Sequence, residues 1–420
     1  MRRLCVWMLL AALAVGSAQA KERLVPAEPG ALASMLAELA PGDVLRLASG
    51  VHRGPITVSV PRVTLLGESG TVLDAEGQDS VVTVAAPEVV VRNLTIRGSG
   101  TRLNKMDSGV FIGKAGHGAR VEDNTLEQNL FGIYLWGPEN ALVRNNRITG
   151  RKDLRMSERG NGVSVWNSPG SVVQDNTIRY GRDGIFSNVS RDNVFRGNDL
   201  RDLRFAIHYM YTNNSEVSEN VSQGNHAGYA LMFSQGLTVL GNLSLGDRDH
   251  GIALNYANGS EFVHNVVRSG KEKCVFIYNS NENEFRDNWF EGCQIGVHFT
   301  AGSERNRMTG NAFVANESQV KYVGTRHLDW SYEGRGNYWS DNPAFDLNGD
   351  GIADAAYRPN DIIDTVVWAY PMAKLLLNSP AIQVVRWAQS QFPGLHPGGV
   401  VDGAPLMRPP MIDIEIGGLE

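Results

Sequence analysis

The sequence predicts an all-β fold, a right-handed parallel β-helix with an N-terminal capping helix and a short helical and extended C-terminal segment. The main observation is a repeat, in which an asparagine recurs every 22 or 23 residues at Asn176, Asn198, Asn220, Asn242, Asn265, Asn288 and Asn311. Each repeat also contains two short β-branched runs, one before the asparagine and one that opens with a small residue about eight positions after it. This period suits one coil of a solenoid in which like residues stack from coil to coil.

The repeated asparagines are predicted to form an internal ladder. Each amide would satisfy backbone groups of a buried turn and hydrogen-bond the asparagines above and below it. We expect the ladder to start at Asn93 and to continue through Asn124 and Asn146 to Asn176, with spacings of 31, 22 and 30 residues. The asparagines are therefore interpreted as scaffold rather than as catalytic residues.

The first 20 residues have the pattern of a Sec-type signal peptide. Arg2 and Arg3 precede an apolar run from Leu4 to Val15, and Ala18-Gln19-Ala20 forms the predicted cleavage site. Loss of these two arginines changes the formal net charge from −6 to −8. The sequence therefore predicts an exported, periplasmic protein whose mildly acidic balance argues against nucleic acid as a partner.

Two cysteines remain after the predicted cleavage, Cys274 and Cys293. In an oxidising compartment a disulfide between them is the first interpretation, because they fall in adjacent coils. A pair of thiolate metal ligands is the second.

The predicted β-helix occupies residues 21–336 and begins with a cap. Gly30 to Leu39 carry Leu32, Met35 and Leu36 at helical spacing, which indicates a short helix that covers the open end of the solenoid.

Two long coils carry basic insertions at an equivalent corner, before Gly109 and before Gly162. Insertions at one corner project from the same side and often form a working surface. Each contains one methionine, Met106 and Met156, and we expect both to contact a partner.

Residues 337–369 form a predicted acidic segment. The run D-L-N-G-D-G-I-A-D places Asp346, Asn348, Asp350 and Asp354 at positions one, three, five and nine of a calcium-type loop. The twelfth position is Tyr357 rather than Glu, so the loop is not a full EF-hand, and Asp361 or Asp364 is needed to complete the shell. A solvated acidic turn is the alternative.

Residues 370–420 form a predicted helical and extended tail. Ser379 is expected to cap a helix with Pro380 in its first turn and an apolar stripe that ends at Phe392. This helix is interpreted either as a lid on the β-helix or as a docking element, with Trp387 and Phe392 as contact residues. From Pro393 onward the chain is expected to be extended and to pack only where something else holds it.

Strand alternation predicts which side chains face outward. In the second strand of each coil, the positions two and four after the opening residue form what we call the outer wall: Tyr134 and Trp136, Ser164 and Trp166, Phe186 and Asn188, His208 and Met210, Ala230 and Met232, Ala253 and Asn255, Phe276 and Tyr278, His298 and Thr300. Such an aromatic and sulfur-rich face is typical of an interaction site, and Trp136 and Trp166 are candidates for partner contact.

A copper site is predicted on the outer wall. Thioethers and imidazoles suit Cu(I) better than they suit zinc, calcium or magnesium. We expect His208, Met210, His226 and Met232 to form an open Cu(I) transit site, with Met106 and Met156 guiding the ion or its carrier.

The C-terminal half then adds a resemblance. The blocks GNYWSDNPAFDLNGDGIADAAYRPNDIID, WAYPMAKLLLNSPAIQVVRWAQSQFP and APLMRP resemble the NosD family of periplasmic β-helix proteins. The resemblance implies a maturation factor for nitrous oxide reductase that helps to assemble its copper-sulfur centre. It also implies two partners, an ABC transporter with its permease and ATPase, and a copper-delivering lipoprotein chaperone.

The alternative is an enzyme, a polysaccharide lyase, hydrolase or C5-epimerase on the same fold. Aromatic residues of the outer wall would then stack on sugar rings. Such catalysis needs a compact group of acids and bases. The outer wall offers His208 and His298, with Asp183 and Asp249 at the turn, but the sequence pattern suggests no compact Asp-His-Arg or paired-carboxylate group. A third class, an adhesin or pure scaffold, does not explain the Met and His cluster.

Overall fold

The computed structural model describes residues 20–324, 326–376, 379–392 and 398–412. The predicted signal peptide lies outside these residues, except for Ala20. From Glu22 to Trp339 the chain winds through three long parallel sheets, which confirms the predicted parallel β-helix.

Each regular coil adds one strand to each sheet, so a third short strand joins the two that the sequence indicated. Sheet 1, before the ladder asparagine, has 13 strands: Glu22–Val25, Val44–Leu47, Thr64–Gly67, Val90–Arg92, Arg120–Glu122, Leu142–Arg144, Val172–Gln174, Val194–Arg196, Glu216–Ser218, Thr238–Leu240, Glu261–Val263, Glu284–Arg286 and Arg307–Thr309. Sheet 2, after the asparagine, also has 13: Gly50–Arg53, Thr71–Asp74, Thr95–Arg97, Thr125–Glu127, Arg147–Thr149, Thr177–Arg179, Asp199–Arg201, Val221–Gln223, Leu243–Leu245, Val266–Arg268, Trp289–Glu291, Ala312–Val314 and Tyr338–Trp339. Sheet 3 has 12 strands and includes the longest strands of the solenoid. They are Ile56–Val58, Val82–Val84, Ser108–Ile112, Phe131–Trp136, Val163–Trp166, Asp183–Arg191, Phe205–Asn213, Ala227–Met232, His250–Asn255, Lys273–Tyr278, Ile295–Thr300 and Ser318–Val323.

The core runs along the axis between the sheets. Inward side chains stack on their equivalents one strand away, as Phe262 does on Phe285 with ring centroids 4.4 Å apart. Both rings are fully buried. Stacking of like residues therefore fills the interior of the solenoid.

The asparagine ladder is confirmed. The Asn198 amide donates to Oδ1 of Asn220 at 2.9 Å and to the carbonyl of Val173 at 2.9 Å. Its backbone N–H donates to the same Asn220 oxygen at 3.0 Å. The same pattern joins the buried residues Asn124, Asn146, Asn176, Asn198, Asn220, Asn242, Asn265, Asn288, Asn311 and Asn337.

The predicted start of the ladder at Asn93 is wrong by one residue. Asn93 has a φ of 57°, like Asp175 and Glu219, which stand immediately before ladder asparagines in later coils. Leu94 takes the ladder position, where it is 2% exposed and its backbone N–H donates to Asn124 Oδ1 at 3.0 Å. Asparagine also favours left-handed turns, so the two positions look alike in the sequence.

A short helix caps the first coil, as predicted. It runs from Ala31 to Ala37, and its Leu32 is buried in the core. Met35, Leu36 and Leu39 pack against that core. The helix therefore covers the open end of the solenoid.

The two cysteines form a disulfide. Cys274 and Cys293 have Cα atoms 5.8 Å apart and are both buried. The first interpretation of these residues is therefore confirmed, and the alternative of thiolate metal ligands does not apply to them.

The far end of the solenoid is closed by a returning segment. Gly399–Val401 pairs in parallel with His327–Asp329. Asp402 is fully buried, and its carboxylate accepts hydrogen bonds from the backbone N–H of Asn337 at 2.7 Å and from Nε1 of Trp339 at 2.8 Å. Asp402 thus occupies the position of the next ladder residue. The part of the chain after Pro393 that packs, residues 399–406, is held by the solenoid itself.

Two helices precede the returning segment. One runs from Ile362 to Ala369 and the other from Pro380 to Gln391, with a 3₁₀ helix at Pro371–Leu376 between them. Ser379 caps the second helix through Ile382 N, as predicted. Val384 and Phe392 of its apolar stripe remain 63% and 61% exposed. The β-helix therefore does not cover this stripe, which disfavours the lid.

Candidate functional site

The outer wall is formed by sheet 3, and its columns match the predicted alternation. Its first column pairs Phe186 with His208 and His208 with Ala230. The second column pairs Met210 with Met232, and Met232 with Asn255. Residues between the columns, such as Tyr209 and Leu231, are buried in the core. The outward orientation of the predicted columns is therefore confirmed.

Three of the four predicted copper ligands lie together. Met210 and Met232 are direct neighbours on adjacent strands, which places their backbones roughly 4.8 Å apart. His208 precedes Met210 by two residues on the same face, roughly 7 Å away along the strand. Long thioether side chains can bridge such separations to meet one imidazole.

His226 does not belong to this cluster. It stands just before Ala227, whose strand reaches Met232 six residues further on, a distance of roughly 20 Å. Nδ1 of His226 instead lies 3.9 Å from Oδ2 of Asp249 at the turn. The prediction that His226 shares a site with Met232 is therefore wrong.

The structure reveals an Asp-His-Arg group that the sequence analysis did not identify. Oδ2 of Asp183 is 3.0 Å from Nδ1 of His208. Arg204 donates to the same carboxylate with both Nε, at 2.7 Å, and Nη2, at 2.6 Å. Asp183 lies one coil before His208, so only the strand register brings them together. The sequence feature that could have indicated this group is Asp183 at the start of a sheet 3 strand, 25 residues before His208.

Two members of this group are buried, and Arg204 is partly exposed. Asp183 is 1% exposed and His208 7% exposed. Burial opposes ionisation of Asp183, but hydrogen bonds from His208 and Arg204 outweigh it, and the pKa of the carboxyl is lowered. Asp183 is therefore a carboxylate at neutral pH.

A depression of about 420 Å³ lies beside the methionine pair. Ala230 and Ala253 line it, because small residues there leave space between larger neighbours. Met232, His250 and Phe276 also line it. Burial lowers the pKa of His250, whose Nδ1 has no hydrogen-bond partner among the described residues. This imidazole is therefore neutral at neutral pH.

Aromatic side chains of the wall stack on one another. Trp136 and Trp166 are neighbours in one column, with centroids 4.2 Å apart and planes at 22°. Beside the wall, Phe233 stacks between Tyr211 at 5.2 Å and Tyr256 at 5.4 Å. These rings therefore cover part of each other's faces.

The two basic insertions lie at the same corner, between sheets 2 and 3, as expected. Met106 follows a 3₁₀ helix at Leu103–Lys105, and Met156 opens another at Met156–Glu158. Their coils lie four and two strands from the His208 strand, roughly 19 and 10 Å along the axis. The structure does not bring these methionines to the cluster of His208, Met210 and Met232.

The predicted calcium residues lie in one exposed loop. The carboxylate of Asp346 accepts backbone N–H bonds from Gly349 at 2.6 Å and Gly351 at 2.8 Å. Asn348 donates to Asp350 at 2.9 Å. Asp354 accepts from the backbone N–H of Leu347 at 2.8 Å. These bonds account for the fold of the loop, and a calcium site there stays a prediction.

Asp361 and Asp364 have another role. Each side chain accepts the backbone N–H of the other at 2.8 Å, which forms the capping box of the helix Ile362–Ala369. Across the described ranges, no three or more His, Cys, Asp or Glu side chains are arranged to hold a metal ion. The thioether and imidazole cluster is a donor set of a different kind.

The C-terminal helices present an apolar surface. Large side chains at least half exposed there are Tyr370, Met372, Leu375, Leu376, Val384, Trp387 and Phe392. Such a concentration is typical of an interaction site. Within the described part of the chain, no helix has the length and apolar character needed to cross a bilayer.

Solved structures support the fold. A surface adhesin of Streptococcus pneumoniae, PfbA, is similar with a TM-score of 0.54 and 9% identity, covering 69% of this chain and 86% of the adhesin. The A-module of a mannuronan C-5 epimerase from Azotobacter vinelandii has a TM-score of 0.51 and 15% identity, covering 74% of this chain and 92% of the module. At these identities the likeness extends to the fold alone.

Sequence comparison identifies the family. Residues 145–344 match the family model described as "Periplasmic copper-binding protein (NosD)". Two proteins named "Probable ABC transporter binding protein NosD" are similar over most of their length. The one from Stutzerimonas stutzeri is 42% identical over 87% of both chains. The one from Pseudomonas aeruginosa is 40% identical over 87% of this chain and 88% of its own. The chain therefore belongs to the NosD family.

Proposed function

We propose that this protein is a periplasmic copper-transfer subunit in the maturation of nitrous oxide reductase. It accepts Cu(I) from a copper-delivering lipoprotein chaperone, holds it briefly at His208, Met210 and Met232, and passes it on toward the copper-sulfur centre of the reductase. It works while docked on an ABC transporter. The observation that carries the proposal is the placement of Met210 beside Met232 on adjacent strands, with His208 two residues before Met210 on the same face of sheet 3.

The donor set suits the cargo. Thioether sulfur and imidazole nitrogen are ligands that Cu(I) prefers over harder oxygen donors. Met210 and Met232 are partly exposed, so a carrier protein can reach them. An open site with few ligands releases its ion readily, whereas a closed site would retain it. The description of the family as copper-binding supports this chemistry.

The exposed helices support docking to the transporter permease. Relatives are named as ABC transporter binding proteins, and this chain leaves the stripe of Pro380–Gln391 uncovered. Replacing Leu375 and Val384, which are 79% and 63% exposed, by Ser should abolish co-purification with the permease and leave the β-helix folded. Undiminished co-purification would place the docking surface elsewhere. Deletion of the whole tail is unsuitable, because residues 399–406 close the solenoid.

Copper transfer is tested with the double variant Met210→Leu and Met232→Leu. Leucine keeps the volume close, so the fold should survive. Cu(I) affinity, measured by competition with a chromophoric chelator, should fall by at least about tenfold, since two of three donors are lost. Reductase made in such cells should lack its copper-sulfur centre. Met411→Leu, at a 96% exposed site outside the wall, is the matched control.

The same double variant can also refute copper transfer. If the double variant binds Cu(I) as the wild type does and yields fully metallated reductase, the methionine pair carries no copper. The outer wall would then be a surface for protein contact only.

A second candidate is a polysaccharide-active enzyme, favoured by the compact group of Asp183, Arg204 and His208. An Asp-oriented imidazole can act as a general base. The stacking disfavours this activity, because Phe233 has both ring faces covered and Trp136 and Trp166 each cover one face of the other. Incubation with uronate polymers decides the matter: turnover that His208→Gln abolishes would support the enzyme.

A further inference from the structure

We infer that Asp183, held by Arg204, is a positioning residue that fixes the tautomer of His208 and leaves its Nε2 as the copper donor. The inference rests on the proposed copper-transfer function and deepens it. It assigns a role to the buried Asp183 and to the partly exposed Arg204, neither of which contacts the ion itself.

The tautomer follows from the partners of Nδ1. Asp183 accepts hydrogen bonds only, so the 3.0 Å contact between its Oδ2 and Nδ1 requires a proton on Nδ1. Nη2 of Arg204 is also near Nδ1, at 3.4 Å, but it donates to Asp183 at the shorter distance of 2.6 Å. With the proton on Nδ1, the neutral ring carries its lone pair on Nε2.

Arg204 fixes the carboxylate in turn. Its Nε donates to Oδ1 of Asp183 at 2.7 Å and its Nη2 donates to Oδ2 at 2.6 Å. This bidentate geometry restricts rotation of the carboxylate. The guanidinium carbon stands 4.5 Å over the ring of Phe205. Phe205 also meets the His208 ring edge to face at 5.1 Å, and Phe186 lies 4.9 Å from it on the other strand. The imidazole is thus fixed in orientation as well as in tautomer.

The fold itself does not require a carboxylate at this place. In the five following coils the position of Asp183 is taken by Phe205, Ala227, His250, Lys273 and Ile295. These residues share neither charge nor size. A buried ion pair is costly to desolvate and gives little net stability, so its presence next to the one histidine of the cluster points to a role in the site.

This arrangement is the one that metal-binding histidines use. A carboxylate that accepts the proton of the second ring nitrogen orients the ligand and raises its basicity. Removing such a partner commonly lowers metal affinity about 10- to 100-fold. The chain thereby compensates for the small number of donors in an open site.

The test is a double-mutant cycle on Cu(I) affinity in the full-length protein. Asp183→Asn should weaken Cu(I) binding by about 10- to 100-fold in the wild-type background. In the His208→Gln background it should change affinity by less than about twofold, because its effect passes through the imidazole. Asp199→Asn, which breaks the Arg201–Asp199 ion pair on sheet 2, is the matched control and should leave affinity unchanged.

The outcomes separate this inference from the proposed function. If His208→Gln and the methionine variant weaken binding but Asp183→Asn does not, the positioning role is refuted and copper transfer stands. An equal effect of Asp183→Asn in both backgrounds would show a structural role only, and would also refute it. If His208→Gln leaves affinity unchanged, the assigned site and this inference fail together.

A spectroscopic measurement on the wild type avoids any effect of substitution on folding. Nitrogen chemical shifts of ¹⁵N-labelled histidine, with His208 assigned by its loss in His208→Gln, report which ring nitrogen carries the proton. We expect protonated Nδ1 and unprotonated Nε2 for His208 in the copper-free protein. The opposite tautomer would overturn the inference.

Discussion

Asp402 offers the sharpest test of how the far end of the solenoid is closed. Its carboxylate accepts the backbone N–H of Asn337 at 2.7 Å, the side-chain amide of Asn337 at 3.3 Å and Nε1 of Trp339 at 2.8 Å. All three donors belong to residues at most 2% exposed. Replacing Asp402 by Ala would leave these donors without the acceptor that now satisfies them.

The expected cost follows from these bonds. A buried donor left without a partner costs about 1–3 kcal/mol, so loss of the two short bonds alone should destabilise the last coil by roughly 2–6 kcal/mol. Asp402→Asn is the matched variant, because an amide oxygen there can receive the same donors as a ladder asparagine does. It loses mainly the bond from Ala404 N, at 3.1 Å. We expect that change to cost about 1 kcal/mol.

Hydrogen exchange measured by mass spectrometry is the suitable assay, because solenoid stability is a sum of local terms between neighbouring coils. Asp402→Ala should raise exchange in residues 327–339 and 399–406 and leave the first coils unchanged. Asp402→Asn should change exchange only slightly. If Asp402→Ala exchanges like the wild type throughout, the returning segment is not what holds this end closed.

Three further predictions concern stability. Asn220→Ala should lower the free energy of unfolding by roughly 3 kcal/mol or more, because it removes an acceptor and a donor inside the ladder. Asn93→Ala, at the exposed turn, should lower it by about 1 kcal/mol. Equal losses in urea unfolding would contradict the finding that Leu94, not Asn93, takes the ladder position. Burial, with Lys321, Lys273 and His250 nearby, lowers the pKa of His298 from 6.5 to about 4. Between these values only the unfolded state takes up the proton, so stability should fall as pH drops from 6.5 toward 4, by about 1–2 kcal/mol after solvent screening; His298→Gln should remove this slope in melting curves. Replacing Cys274 and Cys293 by Ser opens a crosslink across 19 positions and should lower unfolding free energy by roughly 3 kcal/mol, while an unchanged midpoint would show that the crosslink adds nothing.

The periodic features of this protein could be predicted from its sequence. Asparagines such as Asn198 and Asn220 lie one coil apart, and the same short pattern surrounds each of them. Alternation along one strand likewise placed Met210 outward and Tyr209 inward. These properties depend on neighbours within a few residues, so the local pattern is enough to predict them.

The cluster proposed to bind copper could be predicted only in part. Met210 and Met232 occupy equivalent positions of adjacent repeats, so their proximity follows from the period. His226 stands just before the opening residue of its coil, and an extended strand carries the six residues from there to Met232 across roughly 20 Å. Residues so far apart along one strand cannot share a metal ion.

What the sequence by itself determined was the coil, its inner ladder and the composition of its outer wall. The tertiary structure alone decided which distant residues meet. Asp183 reaches His208 across 25 residues because turn lengths set the register of two coils, and Asp402 reaches Asn337 across 65 residues because the chain turns back after its helices. Such contacts depend on the summed geometry of several turns, and no periodic pattern in the intervening sequence specifies it.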